Sequence, residues 1–478
     1  MTHEAAGGAG VDDVEVEIAR LEGLLESGAD ISAPDYVSLV RRIGRLEPGR
    51  LIALGPRIFP FGLSQALRDG GGDALCEVTL MGAAVLDASG FHDGAIARIE
   101  QALTMAAGDE PTIDVLNGDR AFFNAFAGRV ADARWQSRQP ADHGLGGPRV
   151  RLTLAGVRCL LLDFEHLLTQ DHGEPSPAGV ADAGFLHVQR AAALAALGRV
   201  ERAALTARTL LEASTDIGHR ARQLDAEVAL LGLRARTDAA DVGDDLLSEA
   251  ERLMNNHPLW KALLSRLRQQ VGRGDRLAYA RTVVALRSHH DWMNRGYRNS
   301  FPGLAQFSAA LLDGEDVALP LPQAPTLLSL PNIPASAEAV AIGGTLSAAA
   351  DWLAWLDSEL PEFVVTSLEW PACRARVEAL LLFRVGQREA AVERLGQSIA
   401  CCEERGDTIE AEIGRAQVAA IVSDQELAEV ARARLEAVGI EAALFASAAI
   451  RASERAAMAG EEPLTCWRRE SSDGSRGG

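Results

Sequence analysis

The stretch AAALAALGRVERA, residues 191–203, contains the pattern on which the fold depends. Gly198 lies between two segments rich in alanine and leucine, with a small residue seven positions before it (Ala191) and another five positions after it (Ala203). A bulky residue, Leu194, stands four positions before the glycine. Glycine readily adopts the positive φ with which many helices end, and small residues let antiparallel helices approach closely. The stretch therefore predicts a helical hairpin that turns at Gly198.

The same register occurs around three other glycines, so the hairpin is an internal repeat. The matching small residues are Ala83 and Ala95 around Gly90, Ala121 and Ala133 around Gly128, and Ala379 and Ala391 around Gly386. Around Gly128 the bulky position is taken by Asn124. Gly128 and Gly198 are 70 residues apart, and residues 149–168 fit an intervening unit with Asp163 in place of the turn glycine. A period of about 34 residues is typical of stacked helix pairs.

Residues 191–203 resemble the first helix, the turn and the start of the second helix of a tetratricopeptide repeat. Residues 91–95 and 386–391 resemble the same turn. The resemblance covers about residues 75–260 and 370–440, and the array is similar to the degenerate repeats of large bacterial regulators. It implies a right-handed α-solenoid of antiparallel helix pairs with a concave binding surface. The aromatic residue usual near the end of the first helix is absent.

Apolar residues follow helical spacing almost throughout, and convincing apolar–polar alternation is absent. The strand candidates, residues 339–342 and 363–365, are short and isolated. Ser32 followed by Pro34 and Asp35 has the composition of a helix start. The sequence therefore predicts an all-α protein.

The charge balance disfavours a nucleic-acid partner. There are 67 acidic and 47 basic residues, a net charge of −20, whereas binding to phosphates requires a basic face. Lys261 is the sole lysine and has no phosphate-loop glycines near it, which excludes a Walker-type site. Uninterrupted apolar stretches of membrane-spanning length are absent, and residues 1–15 are acidic and rich in glycine, unlike a signal peptide. We expect a cytoplasmic protein without membrane or nucleic-acid partners.

Motifs for catalysis or metal binding are absent from the sequence. The six cysteines are scattered, and the pair Cys401 and Cys402 is more typical of a helix interior than of a redox couple. His166 and the adjacent pair His289 and His290 lack the spacing of a helical zinc site. We therefore expect no catalytic residues, no metal and no cofactor.

Composition divides the chain into five segments. Residues 1–72 form an N-terminal helical cap, residues 73–311 a helical-repeat array, and residues 346–460 a second repeat segment. Between them, residues 312–345 contain Pro320, Pro322, Pro325, Pro331 and Pro334, which predicts a loop or hinge without a helix. Residues 461–478 are expected to be a disordered tail.

Aromatic and arginine residues near the proline-rich segment are the candidate partner-binding residues. These are Trp292, Arg295, Tyr297, Arg298, Trp352 and Trp355. They form either the rim of a binding groove, because Trp, Tyr and Arg dominate interface hot spots, or a hydrophobic plug that packs the segment against the array. The leading functional hypothesis is a tetratricopeptide-like scaffold or adaptor in bacterial signalling or regulation, which binds a protein or peptide in its concave groove. The alternatives are a helical enzyme and a ligand-sensing regulator, each with dispersed site residues.

Overall fold

The computed structural model describes residues 11–54, 57–69, 71–88, 90–142, 148–164, 177–236, 243–253, 256–288, 295–322, 325–327, 329–360 and 369–459. Within these residues the chain forms 23 α-helices and no β-strand. The all-α prediction is therefore confirmed. None of the described helices is long and apolar enough to span a membrane.

Most of the helices begin within a few residues of the end of the preceding one. The first nine are α1 (Val11–Ser27), α2 (Ala33–Leu46), α3 (Pro48–Leu54), α4 (Ile58–Asp69), α5 (Gly72–Ala88), α6 (His92–Met105), α7 (Glu110–Phe126), α8 (Val130–Asp142) and α9 (Pro148–Leu160). The next seven are α10 (Pro177–Ala196), α11 (Val200–Asp216), α12 (Arg220–Arg234), α13 (Asp244–Arg252), α14 (Asn256–Gly272), α15 (Arg276–Ser288) and α16 (Arg295–Asp313). A 3-10 turn (Leu330–Asn332) then leads into α17 (Ile333–Gly343), α18 (Leu346–Ser358), α19 (Glu369–Arg384), α20 (Arg388–Glu404), α21 (Thr408–Val422), α22 (Gln425–Ala437) and α23 (Ala442–Ala459).

The predicted start of α2 is confirmed in detail. Ser32 is the N-cap residue, and its hydroxyl oxygen accepts a hydrogen bond from the Asp35 amide at 3.2 Å. Proline stands in the first turn of the helix, where its missing N–H leaves no hydrogen bond unmade.

The four glycines of the repeat pattern end helices with the same geometry. Gly90, Gly128, Gly198 and Gly386 have φ values of 84°, 73°, 71° and 81°. In each turn the amide after the glycine donates to the carbonyl five residues earlier, as Arg199 does to Leu194 at 2.8 Å. This is the Schellman motif, which closes a helix by reversing the chain. It also occurs at four glycines that the sequence pattern did not identify: Gly218, Gly274, Gly406 and Gly439.

In the turn after α9, the residue with positive φ lies one position before the predicted one. Leu162, rather than Asp163, takes the left-handed conformation, with a φ of 66°, and the Asp163 amide donates to the Arg158 carbonyl at 2.8 Å. The Leu162 side chain is buried in the core, whereas Asp163 is exposed. Packing of the leucine therefore decides which residue adopts a conformation that glycine usually provides.

The small residues of the repeat lie where the paired helices pack. Ala191 and Ala203 are buried between α10 and α11, as Ala379 and Ala391 are between α19 and α20. Asn124, which replaces the bulky residue in α7, is also buried and donates its amide to Gln136 of α8 at 2.9 Å. A polar pair therefore joins these two helices at the position where an apolar contact was expected.

The proline-rich segment is only partly a loop, so the prediction that it contains no helix is wrong. Residues 314–322 have no regular secondary structure, but α17 forms soon after them, with Pro334 in its first turn. All residues of α17 except Pro334 are buried, and the helix packs against α16, α18, α19 and α23. A helix that is apolar on all sides is stable only when it is surrounded by protein. Residues 339–342, one of the isolated strand candidates, belong to this helix; residues 363–365 lie outside the described residues.

The largest hydrophobic cluster includes residues from Ala121 to Ala449 and contains α17. It therefore joins the two predicted repeat segments instead of being divided by a hinge. Residues 314–322 are also hydrogen-bonded to neighbouring helices. The Val317 amide donates to the Gly343 carbonyl at 2.9 Å, and the Ala318 amide donates to the Gln306 side chain at 3.0 Å.

Candidate functional site

A cavity of about 380 Å³ lies inside this largest cluster. Its wall is built from helices that are distant in the sequence, from α10 and α12 through α14, α16 and α17 to α19, α20, α21 and α23. The volume falls at the lower end of the range of about 300–1,000 Å³ that is typical of small-molecule sites. This central cavity is the candidate functional site.

Part of the wall is apolar. Ala192, Ala195 and Ala196 of α10 line the cavity, together with Phe307 of α16 and Trp370 of α19. The three alanines are partly exposed although they belong to a helix whose other face is in the core. Their short side chains leave space where larger residues would fill the interior. The alanine-rich stretch that forms the repeat turn therefore also creates room for a ligand.

The rest of the wall carries an unusual number of charges. Among the described residues that line the cavity there are five arginines and three acidic residues, namely Arg236, Arg268, Arg273, Arg376 and Arg405 with Glu338, Asp407 and Glu410. The whole chain has a net charge of −20, so the excess of positive charge is local. Charged side chains are seldom buried unless they are paired.

Arg376 joins two of the acidic residues. Its guanidinium forms an ion pair with the carboxylate of Glu410, donates to the Glu410 carbonyl oxygen at 2.8 Å, and approaches a carboxylate oxygen of Glu338 at 3.7 Å. The other carboxylate oxygen of Glu338 accepts a hydrogen bond from the Gln417 amide at 3.3 Å. Through Arg376, the start of α21 is therefore fixed to α19 and to the buried helix α17.

A second pair closes the turn between α20 and α21. Arg405 and Asp407 are nearly buried, and the Arg405 guanidinium donates to the Asp407 carboxylate at 2.8 Å. Asp407 is also the N-cap of α21, where its carboxylate accepts a hydrogen bond from the Glu410 amide at 3.3 Å. Both charged clusters therefore depend on the same helix start.

Burial and neighbouring charges shift the pKa values of the three acidic residues in different directions. Burial raises the pKa of Glu338, more than nearby Arg376 lowers it. Burial also raises the pKa of Asp407, and the negative charge of Glu410 adds to this rise. At Glu410 burial acts in the same direction, but the positive charges of Arg376 and Arg268 outweigh it, and the pKa is lowered. Glu410 is thus the carboxylate whose ionised form the cavity favours.

Glu410 and Arg268 are the charged residues most open to a ligand. The Glu410 side chain keeps 31% of its surface open, although Arg376 is bound to it, and Arg268 is exposed. Both line the cavity. A ligand that enters the cavity therefore meets ionised groups as well as apolar surface.

Of the two cysteines that line the cavity, Cys373 and Cys402, the second is not activated. Cys402 lies close to Arg376 and Arg405, whose positive charges favour a thiolate, yet burial raises its pKa to about 11. A cysteine acts as a nucleophile through its thiolate, so this thiol is inert near neutral pH. Burial likewise raises the pKa of Cys401. Among the described residues no cluster of histidine, cysteine and carboxylate side chains has the arrangement of a metal site.

Of the predicted partner-binding residues, the two whose side chains the structure describes, Trp352 and Trp355, are not part of the cavity wall. Trp352 and Trp355 are buried, their ring centroids are 5.8 Å apart, and the Trp352 indole N–H donates to the Leu319 carbonyl at 3.3 Å. These contacts correspond to a plug against the proline-rich segment, the alternative interpretation of these two residues. Trp292 lies outside the described residues. Arg295, Tyr297 and Arg298 begin α16, but their side chains are outside the described part of the chain, so their role stays a prediction.

Sequence reasoning missed the charged residues of the cavity, although a signal was present. Glu338 is the single charged residue in the apolar helix α17. A charged residue inside an otherwise apolar helix needs a buried partner or a polar cavity. The partners lie 34 or more residues away in the sequence, as for Arg376 and Glu410, so no local motif could pair them.

Comparison with known proteins adds no relative. No family model matches the chain. Among curated proteins none matches it significantly. The chemistry of the cavity is therefore the basis for assigning a function.

Proposed function

We propose that this chain is a tetratricopeptide-like, ligand-sensing binding protein of the cytoplasm, which captures a small molecule in its central cavity. The observation that carries the proposal is a partly open cavity of about 380 Å³ whose wall combines alanine and aromatic surface with fixed charges. Small-molecule sites typically combine an apolar wall with a few precisely placed polar groups. The repeated Schellman turns support a right-handed array of helix pairs as the scaffold.

The polar groups of the cavity are suited to binding rather than to turnover. Arg376 and Arg405 are held in ion pairs with Glu410 and Asp407, which fixes their positions before a ligand arrives. Such preorganisation lowers the entropic cost of binding. A raised thiol pKa removes Cys402 as a nucleophile near neutral pH. The proposal is therefore a sensor or carrier, not an enzyme.

The dimensions of the cavity favour a small ligand over an extended peptide. A peptide in the groove of a solenoid would require an open channel along several repeats. Here helix α17 and the aromatic side chains of α16 and α19 line a cavity of about 380 Å³, a volume typical of a small-molecule site. A conformational response can follow from binding because the wall includes helices from both predicted repeat segments.

The adaptor hypothesis remains a second candidate, supported by a different surface. On α15, Leu277 and Val284 are 65% and 66% exposed, and Arg281 and Arg287 are exposed beside them. Exposed apolar residues next to arginines are common in protein interfaces. Replacing Leu277 and Val284 with aspartate is expected to abolish capture of a protein partner without changing binding in the cavity.

A pair of tryptophan substitutions tests the ligand-binding proposal. Ala195→Trp places a large side chain in the cavity wall, whereas Ala204→Trp is a control on α11 at a partly exposed alanine outside the wall. The probes are two fluorescent dyes of one skeleton, the anionic anilinonaphthalene sulfonate and the neutral N-phenyl-naphthylamine. We expect saturable binding of at least one dye at one site, lost in Ala195→Trp and retained in Ala204→Trp. No saturable binding, or equal binding in both variants, would contradict the proposal.

A further inference from the structure

We infer that the ligand of the central cavity is an uncharged, planar heterocycle with a lactam edge, in which a ring N–H and a ring carbonyl lie side by side. The inference rests on the proposed function and specifies the chemical class of its ligand. It is drawn from three neutral polar side chains that line this one cavity and are each more than nine-tenths buried, namely Gln189, Asn332 and Trp370.

Gln189 brings a carboxamide without a protein partner into the cavity wall. Only 4% of the residue is exposed, and neither its side-chain nitrogen nor its side-chain oxygen has a hydrogen-bond partner among the described residues. Such a group destabilises the folded state, because burial removes hydrogen bonds to bulk water that the protein does not replace. The last torsion of a glutamine side chain is broad, so the amide can turn its edge towards a ligand. A complementary edge on the ligand would satisfy the donor and the acceptor together.

Trp370 and Asn332 add further hydrogen-bonding groups to the same wall. The Trp370 indole N–H has no acceptor in the described part of the chain. An indole N–H can only donate, so a ligand that uses it must present an acceptor such as a carbonyl oxygen. Asn332 is the N-cap residue of α17, a position at which asparagine commonly caps with its side chain, but here that side chain makes no capping hydrogen bond. Its amide is therefore not used by the start of the helix.

The Gln189 amide lies beside the apolar part of the wall. Gln189 is three residues before Ala192 and seven before Ala196 on α10, and all three line the cavity. Residues with this spacing share one face of a helix. The alanines offer a surface without long side chains, and the Phe307 and Trp370 rings add aromatic area to the cavity. A planar ring system can therefore pack against apolar surface while its polar edge meets the carboxamide.

Three arginines of the wall are already bonded to other groups of the protein, so they do not require a charged ligand. Arg376 is bound to Glu410, and Arg405 is bound to Asp407. Arg236 donates to a backbone carbonyl of α10 at 3.2 Å. A charged ligand would compete with these contacts and would lose part of its own hydration in the cavity. A neutral lactam leaves the contacts intact and pairs with the polar groups that lack partners.

Two probes of one skeleton test the lactam edge. Carbostyril is a two-ring aromatic lactam, and N-methylcarbostyril differs from it by a methyl group in place of the lactam proton. Equilibrium dialysis measures the binding of each probe. We expect wild-type protein to bind carbostyril about tenfold more tightly than N-methylcarbostyril, because the methyl group prevents pairing with the Gln189 amide. In Gln189→Met, whose side chain has a similar length and no amide, this preference should fall to about twofold or less.

Gln270→Met is the matched control for the loss of a buried amide. Gln270 is 7% exposed, and its side-chain oxygen also lacks a partner among the described residues, but it does not line the cavity. Both variants replace a buried glutamine with methionine, so their general effects on packing are comparable. Only Gln189→Met should remove the preference for the lactam.

The inference would be overturned if wild-type protein bound both probes equally or did not bind carbostyril, or if the preference survived in Gln189→Met. In those cases, loss of dye binding in Ala195→Trp would still support a cavity that binds other small molecules. If Ala195→Trp leaves both dyes bound, the proposed function itself fails. The two proposals therefore fail through different variants.

Discussion

The repeat hairpins and the buried helix α17 use the same helical backbone for different purposes. In the hairpin of α19 and α20, small residues such as Ala379 and Ala391 are buried between the helices, while outer positions such as Arg388 and Glu389 are exposed. Helix α17 has no exposed face, and its single charged residue, Glu338, lines the cavity. Both kinds of helix line the cavity, but the repeat helices also present an exposed outer face, whereas α17 is buried on all sides.

The largest expected effect comes from removing the charge that joins α17 to this scaffold. Arg376→Met leaves Glu338 and Glu410 in the interior without their shared counter-charge, and breaking a buried ion pair typically costs about 3–5 kcal/mol of unfolding free energy. The matched control is Arg374→Gln, two residues away on α19. Arg374 is 39% exposed and binds Asp357 at 2.6 Å and Glu378 at 2.7 Å. Because Glu378 keeps a second partner in Arg394 at 3.2 Å, the loss of Arg374 should cost less than the loss of Arg376, about 1 kcal/mol.

Urea denaturation of both variants measures how much each substitution lowers the free energy of unfolding. If Arg376→Met is no more destabilising than Arg374→Gln, the buried charges do not hold the cavity wall together. The buried ion pairs of Arg376 would then not stabilise the cavity wall more than an exposed ion pair does.

The next effect tests packing inside the repeat hairpins. Ala203→Leu or Ala391→Leu inserts three heavy atoms between paired helices, and overpacking of this kind costs about 1–3 kcal/mol. Ala204→Leu, at a partly exposed neighbouring position, is the control and should have little effect. Melting temperatures compare the three variants. Unchanged stability at both buried alanines would show that the register does not mark helix contacts.

Two glycines of one hairpin should respond in opposite directions. Gly386 has a φ of 81°, and a methyl group added at its α-carbon would meet no atom within 4 Å, so Gly386→Ala is penalised by its backbone alone, by about 1–2 kcal/mol. Gly396 lies within α20 and also has free space around it. Gly396→Ala should therefore stabilise the protein by about 0.5–1 kcal/mol. Calorimetry that finds the same sign for both would contradict the assigned roles of the two glycines.

The smallest expected effect is a change in the pH dependence of stability at Glu338. Because the pKa of Glu338 is raised in the folded protein, the folded state holds this proton more tightly than the unfolded state. Its contribution to stability is thus present below the ordinary pKa of 4.5 and is lost as pH rises towards the folded pKa. Glu338→Gln should become more stable relative to wild type as pH increases above 4.5. Urea denaturation at several pH values measures the free energies of unfolding of the variant and the wild type. A difference between them that does not change with pH would exclude a raised pKa of Glu338.

The same comparison explains what the sequence could predict. The register of Ala191, Gly198 and Ala203 is local, so helices, turns and buried small residues could be inferred from spacing. Helix α17 was not predicted because the number of prolines in the segment was taken to exclude a helix. The position of each proline relative to a helix start was not considered. Pro334 lies in the first turn, where proline is compatible with a helix, and the residues after it are almost all apolar.

The candidate site could not be predicted in the same way. Arg376 meets Glu338 and Glu410 through tertiary packing of α17, α19 and α21, and sequence spacing carries no information about such contacts. The sequence left two interpretations open for the tryptophans. Trp352 and Trp355 share a helix face, as predicted, and their burial corresponds to the hydrophobic plug.

Amide hydrogen exchange with and without the neutral dye tests most directly whether the central cavity is a binding site. We predict additional protection in helices that line the cavity, especially α17, α19 and the start of α21, and none in α5 and α6. Ala195→Trp should remove this protection. Protection confined to α5 and α6, or spread equally over the chain and unaffected by Ala195→Trp, would contradict a ligand site in the cavity.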